Sequence, residues 1–193
     1  MKILVTGGAG FIGSHVCEKL VEIGQKVYIL DDLSTGKLSN LSAIKNKVTF
    51  IKSRVEDYNL DSLDSINAVI HLAAQASVPI SISEFYKSSK TNILSSLKII
   101  DFCIKNKLPL VYASSSAIYG GLPLGDDESD EIDLLSPYAA DKYALELYAK
   151  VSSLTSELSS IGLRFFNVYG PRQDPSNPYS GVISIFTEKL LTN

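Results

Sequence analysis

Tyr138-Ala139-Ala140-Asp141-Lys142 sets a phenol and an ammonium four residues apart, which on a helix is one face. A tyrosine ordinarily loses its proton near pH 10, so it is a poor base at neutrality. A lysine one turn away, together with a second positive charge such as an oxidised nicotinamide, would favour the phenolate and make it usable in proton transfer. The pair alone is often only a surface contact. Its weight comes from Ser114-Ser115-Ser116, which follow a core-like run ending at Tyr112 and offer hydroxyls at a strand end. In a parallel sheet that end is where ligands sit.

A second group has the chemistry to hold phosphates. Thr6-Gly7-Gly8-Ala9-Gly10-Phe11-Ile12-Gly13 lies between an apolar strand-like run and an amphipathic segment. Gly7 or Gly8 suits a tight turn, Gly10 lets a pyrophosphate approach the backbone, and Gly13 lets helix and strand pack closely. A helix starting there turns free N–H groups and a positive dipole end toward an anion. Asp31 ends the next apolar run, at the spacing of a carboxylate that accepts from the adenosine ribose hydroxyls. It would repel a 2′-phosphate, which favours NAD over NADP, although Lys37 stands nearby. Asp32 reads equally well as a turn residue.

These groups need a scaffold, and the pattern supplies one. Strands are expected at Ile3–Val5, Val27–Leu30, Val48–Ile51, Ala68–His71, Leu110–Tyr112 and Gly162–Phe166. They lack polar alternation, as strands covered on both faces do. Helices are expected to start near Gly13, Ser83 and Pro137, with Gly24 ending the first. Ser136 and Pro137 are good cap and first-turn residues. The expectation is an α/β fold, a Rossmann-like doubly wound parallel sheet. Residues 1–170 would form its dinucleotide-binding domain, and 171–193 the start of a truncated substrate-binding region. Val182, Ile185, Phe186 and Leu190 recur at helical spacing and need something to pack on, which suggests a piece of a longer architecture.

The 193 residues are 45% hydrophobic and 20% charged, ordinary for a globular protein with a sizeable core. A net charge of −3 gives no reason to expect nucleic acid or an acidic membrane as partner. Cys17 and Cys103 read as two buried thiols, since neither zinc nor CxxC spacing is present. No metal site is expected, and the acidic run from Asp126 to Glu131 reads as a solvated loop. With no leader sequence and no long apolar span, the expected location is the cytoplasm.

Together the motifs resemble the NAD-dependent epimerase/dehydratase family of the extended short-chain dehydrogenase/reductase superfamily, in the branch of UDP-glucose and UDP-N-acetylglucosamine 4-epimerases. The likeness rests on the glycine loop, Asp31-Asp32-Leu33-Ser34-Thr35-Gly36, Val69 to Ala74, Ala113 to Gly120, Tyr138 to Lys142 and Leu163 to Arg172. It implies NAD held by Gly7, Gly10, Phe11, Ile12, Gly13, Asp31, Asp32, Ser34, Thr35, Gly36 and Val55. Leu72, Ala73 and Ala74 would line the groove with Asn92 behind them. Tyr138 would be the catalytic base, Lys142 would lower its pKa and bind the nicotinamide ribose, and Ser115 would bond the sugar's 4-oxygen. Ser116 and Asn167 would help hold a UDP-sugar, and His71 would be structural. A homodimer through the Tyr138–Lys142 helix would fit the family.

The resemblance also separates chemistries. The family's dehydratases carry an Asp-Glu pair after a Thr near the catalytic hydroxyl, and its decarboxylases a Glu before the Val-Tyr-Gly step. This chain has Ser115-Ser116-Ala117, which favours plain oxidation and re-reduction at C4. One departure stands out: Ser53 and Arg54 occupy positions where the family has Gly-Asp, the Asp holding the adenine amine. A rival expectation is a truncated NAD-binding module without turnover. A weaker one is a dehydratase or decarboxylase using other carboxylates.

Overall fold

In the computed structural model the described residues are 1–123, 131–174 and 182–192. Asp126 to Asp130 of the acidic run and Pro175 to Ser180 of the proline-rich stretch lie outside them. Six strands are present: β1 (Lys2–Thr6), β2 (Lys26–Asp31), β3 (Val48–Lys52), β4 (Ala68–His71), β5 (Leu110–Ser115) and β6 (Ser160–Phe165). All pair in parallel, in the order β3-β2-β1-β4-β5-β6. This is the doubly wound arrangement, in which the order reverses between β1 and β4 and opens a crevice at the carboxyl ends there.

The missing polar alternation has its explanation in two cores. On β1, Leu4 joins one apolar cluster with Leu30, Val69, Leu110, Ile99, Phe102, Cys103 and Leu145. Its neighbours Ile3 and Val5 join the other, with Val27, Ile29, Ala9 and Cys17. Both faces are covered, so each residue must be apolar whichever way it points. The two thiols are buried and free, and burial pushes both up to about 12, which keeps them protonated and inert.

Five α-helices are described: α1 (Phe11–Glu22), α2 (Val78–Ser83), α3 (Phe85–Asn106), α4 (Pro137–Ser156) and α5 (Val182–Thr192). Ser136 caps α4 as expected, its hydroxyl accepting from the Ala139 N–H at 3.1 Å. α1 begins two residues before Gly13, because Gly10 serves as the N-cap. The expected single helix near Ser83 is two helices, broken at Glu84. Within α5, Phe186 and Leu190 are exposed. No helix among the described residues is long and apolar enough to cross a membrane.

Candidate functional site

The glycine loop is built by close backbone approach. Gly7 has φ +71°, and a Cβ there would lie 2.7 Å from the Ala73 nitrogen. At Gly13 a Cβ would lie 2.1 Å from the Gly7 carbonyl oxygen. These two positions press β1, α1 and the end of β4 together, and Leu72, Ala73 and Ala74 form the half-buried far wall. α1 has no side chain capping its first amides and no acid in its first turn, so its amino end keeps donors for an anion. Phe11 and Ile12, half-buried, begin that turn.

Asp31 is 7% exposed and helps shape the loop. Its Oδ2 accepts from the Ala9 N–H at 2.9 Å and its Oδ1 from the Leu33 N–H at 2.8 Å. Burial pushes its carboxyl up, with those amides and Asp32 as smaller influences, of which only the amides oppose the rise. Each oxygen keeps a further acceptor site for a ribose hydroxyl. Asp32 accepts from the Ser34 N–H at 2.9 Å. Burial raises Asp32, but Ser34 and Arg54 together outweigh it and hold it below the usual carboxylate range. Ser34 and Thr35 are exposed, while Gly36 sits against Ala9 and Asp31. Asn40, which the sequence did not single out, donates to the Ala9 carbonyl at 2.8 Å. Val55 is buried in the core.

At the other side of the crevice, Ser115 ends β5 and Tyr138 and Lys142 sit on the buried face of α4, at 8% and 6% exposure. Burial raises the Tyr138 phenol above its ordinary value, a hydrogen bond with Ser115 pulls it down, and Asp141 raises it. Lys142 is pushed down to about 8 by burial, against Asp141. Its Nζ donates to the Ala113 carbonyl at 2.7 Å and lies 5.8 Å from the centre of the Tyr138 ring. The protein's own groups therefore bring the ammonium toward neutrality while leaving the phenol protonated. Ser116 opens a short 3-10 turn, and Asn167 is exposed two residues beyond β6.

Asn92, expected behind the groove, is bound at both ends of its amide within the chain. Its Oδ1 accepts from the Gln75 N–H at 2.8 Å, and its Nδ2 donates to the Gln75 carbonyl and, at 3.0 Å, to Asp141. It is a buried strut tying the loop after β4 to α4. Sequence reasoning also missed the groups that brace the two halves. Arg164 grips Glu146 through Nε and Nη2 at 2.9 and 2.7 Å, and Glu146 also accepts from the Ser114 hydroxyl. The Ser81 hydroxyl of α2 accepts from the Tyr138 N–H at 3.2 Å. Beyond β6, Arg172 reaches back to α1, 2.6 Å from Glu18, and the Pro171 carbonyl lies 3.0 Å from the His15 ring. Among the described residues no group of three or more His, Cys, Asp or Glu is placed to hold a metal.

His71 is wired in between. Thr6 Oγ1 accepts from the Ala73 N–H and shares the Leu72 N–H with the Thr6 carbonyl, an arrangement that favours its own hydrogen pointing to His71 Nδ1, 2.7 Å away. The ring's own proton is then on Nε2, facing the Ser96 hydroxyl at 3.4 Å. Burial and then the Lys142 charge push the imidazole down to about 3, so it is a fixed neutral acceptor.

Known proteins of this architecture are similar along nearly the whole chain. A UDP-glucose 4-epimerase of Mycolicibacterium smegmatis is 36% identical over 199 residues, which take in 99% of this chain and 63% of that protein. A UDP-N-acetylglucosamine 4-epimerase of Methanobrevibacter ruminantium, solved with UDP-N-acetylmuramic acid, is 41% identical with a TM-score of 0.92 over 99% of this chain and 63% of its own. A UDP-glucose 4-epimerase of Thermus thermophilus, solved with NAD, is 39% identical with a TM-score of 0.89 over all of this chain and 63% of its own. The chain thus spans less than two thirds of the length of these relatives. Residues 3–193 match the model of the NAD dependent epimerase/dehydratase family, and the chain belongs to that family, whose cofactor is NAD.

Proposed function

We propose that this chain is the NAD-binding and catalytic part of a UDP-sugar 4-epimerase. The observation that carries the reading is the placing of Ser115, Tyr138 and Lys142 at the carboxyl end of β5, across the crevice from an uncapped glycine loop. The groove fits the cofactor by its donors and acceptors. The first amides of α1 suit the pyrophosphate, and the free acceptor sites of Asp31 suit the ribose hydroxyls. Ser34, Thr35, Gly36 and Val55 lie on the same side. When bound, NAD would supply a hydride acceptor and donor at C4 and a positively charged ring.

The rest falls to the protein. Tyr138 takes the proton of the sugar's 4-hydroxyl and gives it back after the transient 4-keto sugar has turned over. Ser115 bonds the 4-oxygen and the phenol together. Lys142, held by the Ala113 carbonyl, donates to the nicotinamide ribose and lends its charge to the phenolate. The absence of a carboxylate at Ser116 and Ala117 argues against dehydration and decarboxylation. Ser116 and Asn167 are assigned to the nucleotide sugar, and residues 171–193 to the start of the region that closes over it.

The same reading makes the protein a homodimer through α4, where Leu147, Tyr148, Val151 and Leu154 are exposed. Native mass spectrometry tests both points, since retained NAD and a doubled mass are expected. Incubating the full-length enzyme that contains this segment with UDP-glucose or UDP-N-acetylglucosamine should yield the 4-epimer. A dehydrated or decarboxylated product would overturn the assignment.

A further inference from the structure

Arg54 follows β3 and pairs with Asp32, the residue next after Asp31 at the end of β2, and its charge is shared. Its Nε lies 3.5 Å from Asp32 Oδ2 and its Nη1 3.5 Å from Glu56 Oε1. In dinucleotide-binding α/β folds an arginine beside the ribose carboxylate is the group that can take a 2′-phosphate, because its planar fork matches the phosphate oxygens. Here the fork is stretched between two anions, and neither contact has the 2.7–2.9 Å or so of a tight charge-assisted bond. Another cation near this rim, Lys37, is held 2.6 Å from Asp174. Lys98 donates to the Glu56 carbonyl at 2.7 Å, which fixes the backbone carrying that carboxylate. Glu56 is the more buried of the two anions, its side chain 16% exposed against 30% for Asp32.

We propose that Arg54 is a specificity-determining residue for the cofactor, and that Glu56 withholds its guanidinium from a 2′-phosphate. The inference rests on the reading that the groove binds NAD. It goes beyond repulsion by Asp31, since it makes the preference for an unphosphorylated ribose depend on a cation that is present but engaged.

The test is calorimetric titration of NAD and NADP into the purified chain and into Glu56→Gln, Asp32→Asn, Arg54→Ala and the Arg54→Ala/Glu56→Gln double variant. Glu56→Gln should leave NAD affinity within about twofold and raise NADP affinity roughly tenfold, the worth of one charged hydrogen bond. Asp32→Asn, which frees the fork from its other side, should move the NADP-to-NAD ratio in the same direction. The double variant should lose the gain, whereas a gain due only to removing a negative charge would persist without Arg54. Persistence of the gain in the double variant overturns the proposal. So does an unchanged NADP-to-NAD ratio in Glu56→Gln, whatever Asp32→Asn does, although NAD binding itself would stand. Failure of every variant and the parent to bind either dinucleotide would overturn the NAD reading, and this inference with it.

Discussion

The two sides of the crevice are finished to different degrees. On the side of β1, β2 and α1 the carboxylate and carbonyl groups that shape the glycine loop are tied within the chain, and the first amides of α1 are left uncapped. Asp31 is pinned by Ala9 and Leu33, the Ala9 carbonyl by Asn40 and Lys37, and α1 by Arg172. On the side of β5 and β6 the hydroxyl and the ammonium are buried, but among the described residues several apolar side chains beyond them are exposed. Ile161 is 62% exposed, Phe166 53% and Tyr169 66%, all on or just after an edge strand. A row of large apolar side chains on an unpaired edge is what proteins ordinarily cover. The contrast teaches that the groove beside the glycine loop is built largely by the first 60 residues, whereas the β6 side keeps apolar surface open; on the proposed function, that surface is where elements aligning the sugar would pack.

The largest effect should come from the open side. Tyr138→Phe in the full-length enzyme removes the proton acceptor and should cut epimerisation roughly a thousandfold, the middle of the range for a general base. NAD affinity should change by less than about twofold. Product analysis and calorimetry read the two numbers separately, and a variant that kept most of its turnover would remove Tyr138 from the mechanism. The 193-residue chain alone should bind NAD yet turn over UDP-sugars at least about a hundredfold more slowly than the full-length enzyme, because a misplacement of roughly 1 Å is worth that much. Comparable turnover would mean that nothing packed on β6 is needed.

The closed side should respond in the opposite sense. Gly13→Ala sets a Cβ where only 2.1 Å separates it from the Gly7 carbonyl, so backbone must move at the donors meant for the pyrophosphate. We expect NAD affinity to fall at least about tenfold, with a loss of roughly 1–3 kcal/mol in unfolding free energy from the overpacking. Calorimetry and urea unfolding read these. Unchanged affinity would show that the loop's close packing is incidental to binding.

How much of this was legible beforehand follows from distance along the chain. The strands were readable because both faces of β1, β2 and β4 are apolar, and that leaves a run in the sequence. The helix α2 was not, since Val78-Pro79-Ile80-Ser81-Ile82-Ser83 alternates like a strand and is rich in β-branched residues. Its start signal was nonetheless present in Ser77, whose hydroxyl accepts from the Ile80 N–H. Glycines, Tyr138 and Lys142 announce themselves by local spacing. The Glu146–Arg164 grip spans 18 residues, the Asn92–Asp141 bond 49 and the Thr6–His71 bond 65, and no local pattern encodes such pairs. For that reason the sequence could set Asn92 behind the groove but could not name Gln75 and Asp141 as the partners of its amide.

The smallest effect we expect lies on the seam between the two sides, at His71. Its folded pKa is pushed down to about 3 from an ordinary 6.5. Between those values the unfolded chain takes up a proton that the folded chain refuses, so acid favours the unfolded state there. The His71 contribution is thus complete above pH 6.5 and is lost as pH falls toward 3. Carboxylates add their own losses in acid, and only a difference between variants isolates the imidazole. His71→Asn puts an amide oxygen near the place of Nδ1, so the Thr6 hydroxyl keeps an acceptor while the titrating group is gone. The variant should be less stable at pH 7 because a cavity replaces the ring. Its unfolding free energy, from urea titrations at pH 7, 6, 5 and 4, should nevertheless fall less steeply with acid than that of the parent. Parallel curves would mean that His71 takes up a proton in the folded state, and then it could not be the fixed acceptor that holds Thr6, and through it the backbone of Leu72 and Ala73, in place. A shallower variant curve with weakened NAD binding would tie the two sides of the crevice together through that one buried ring.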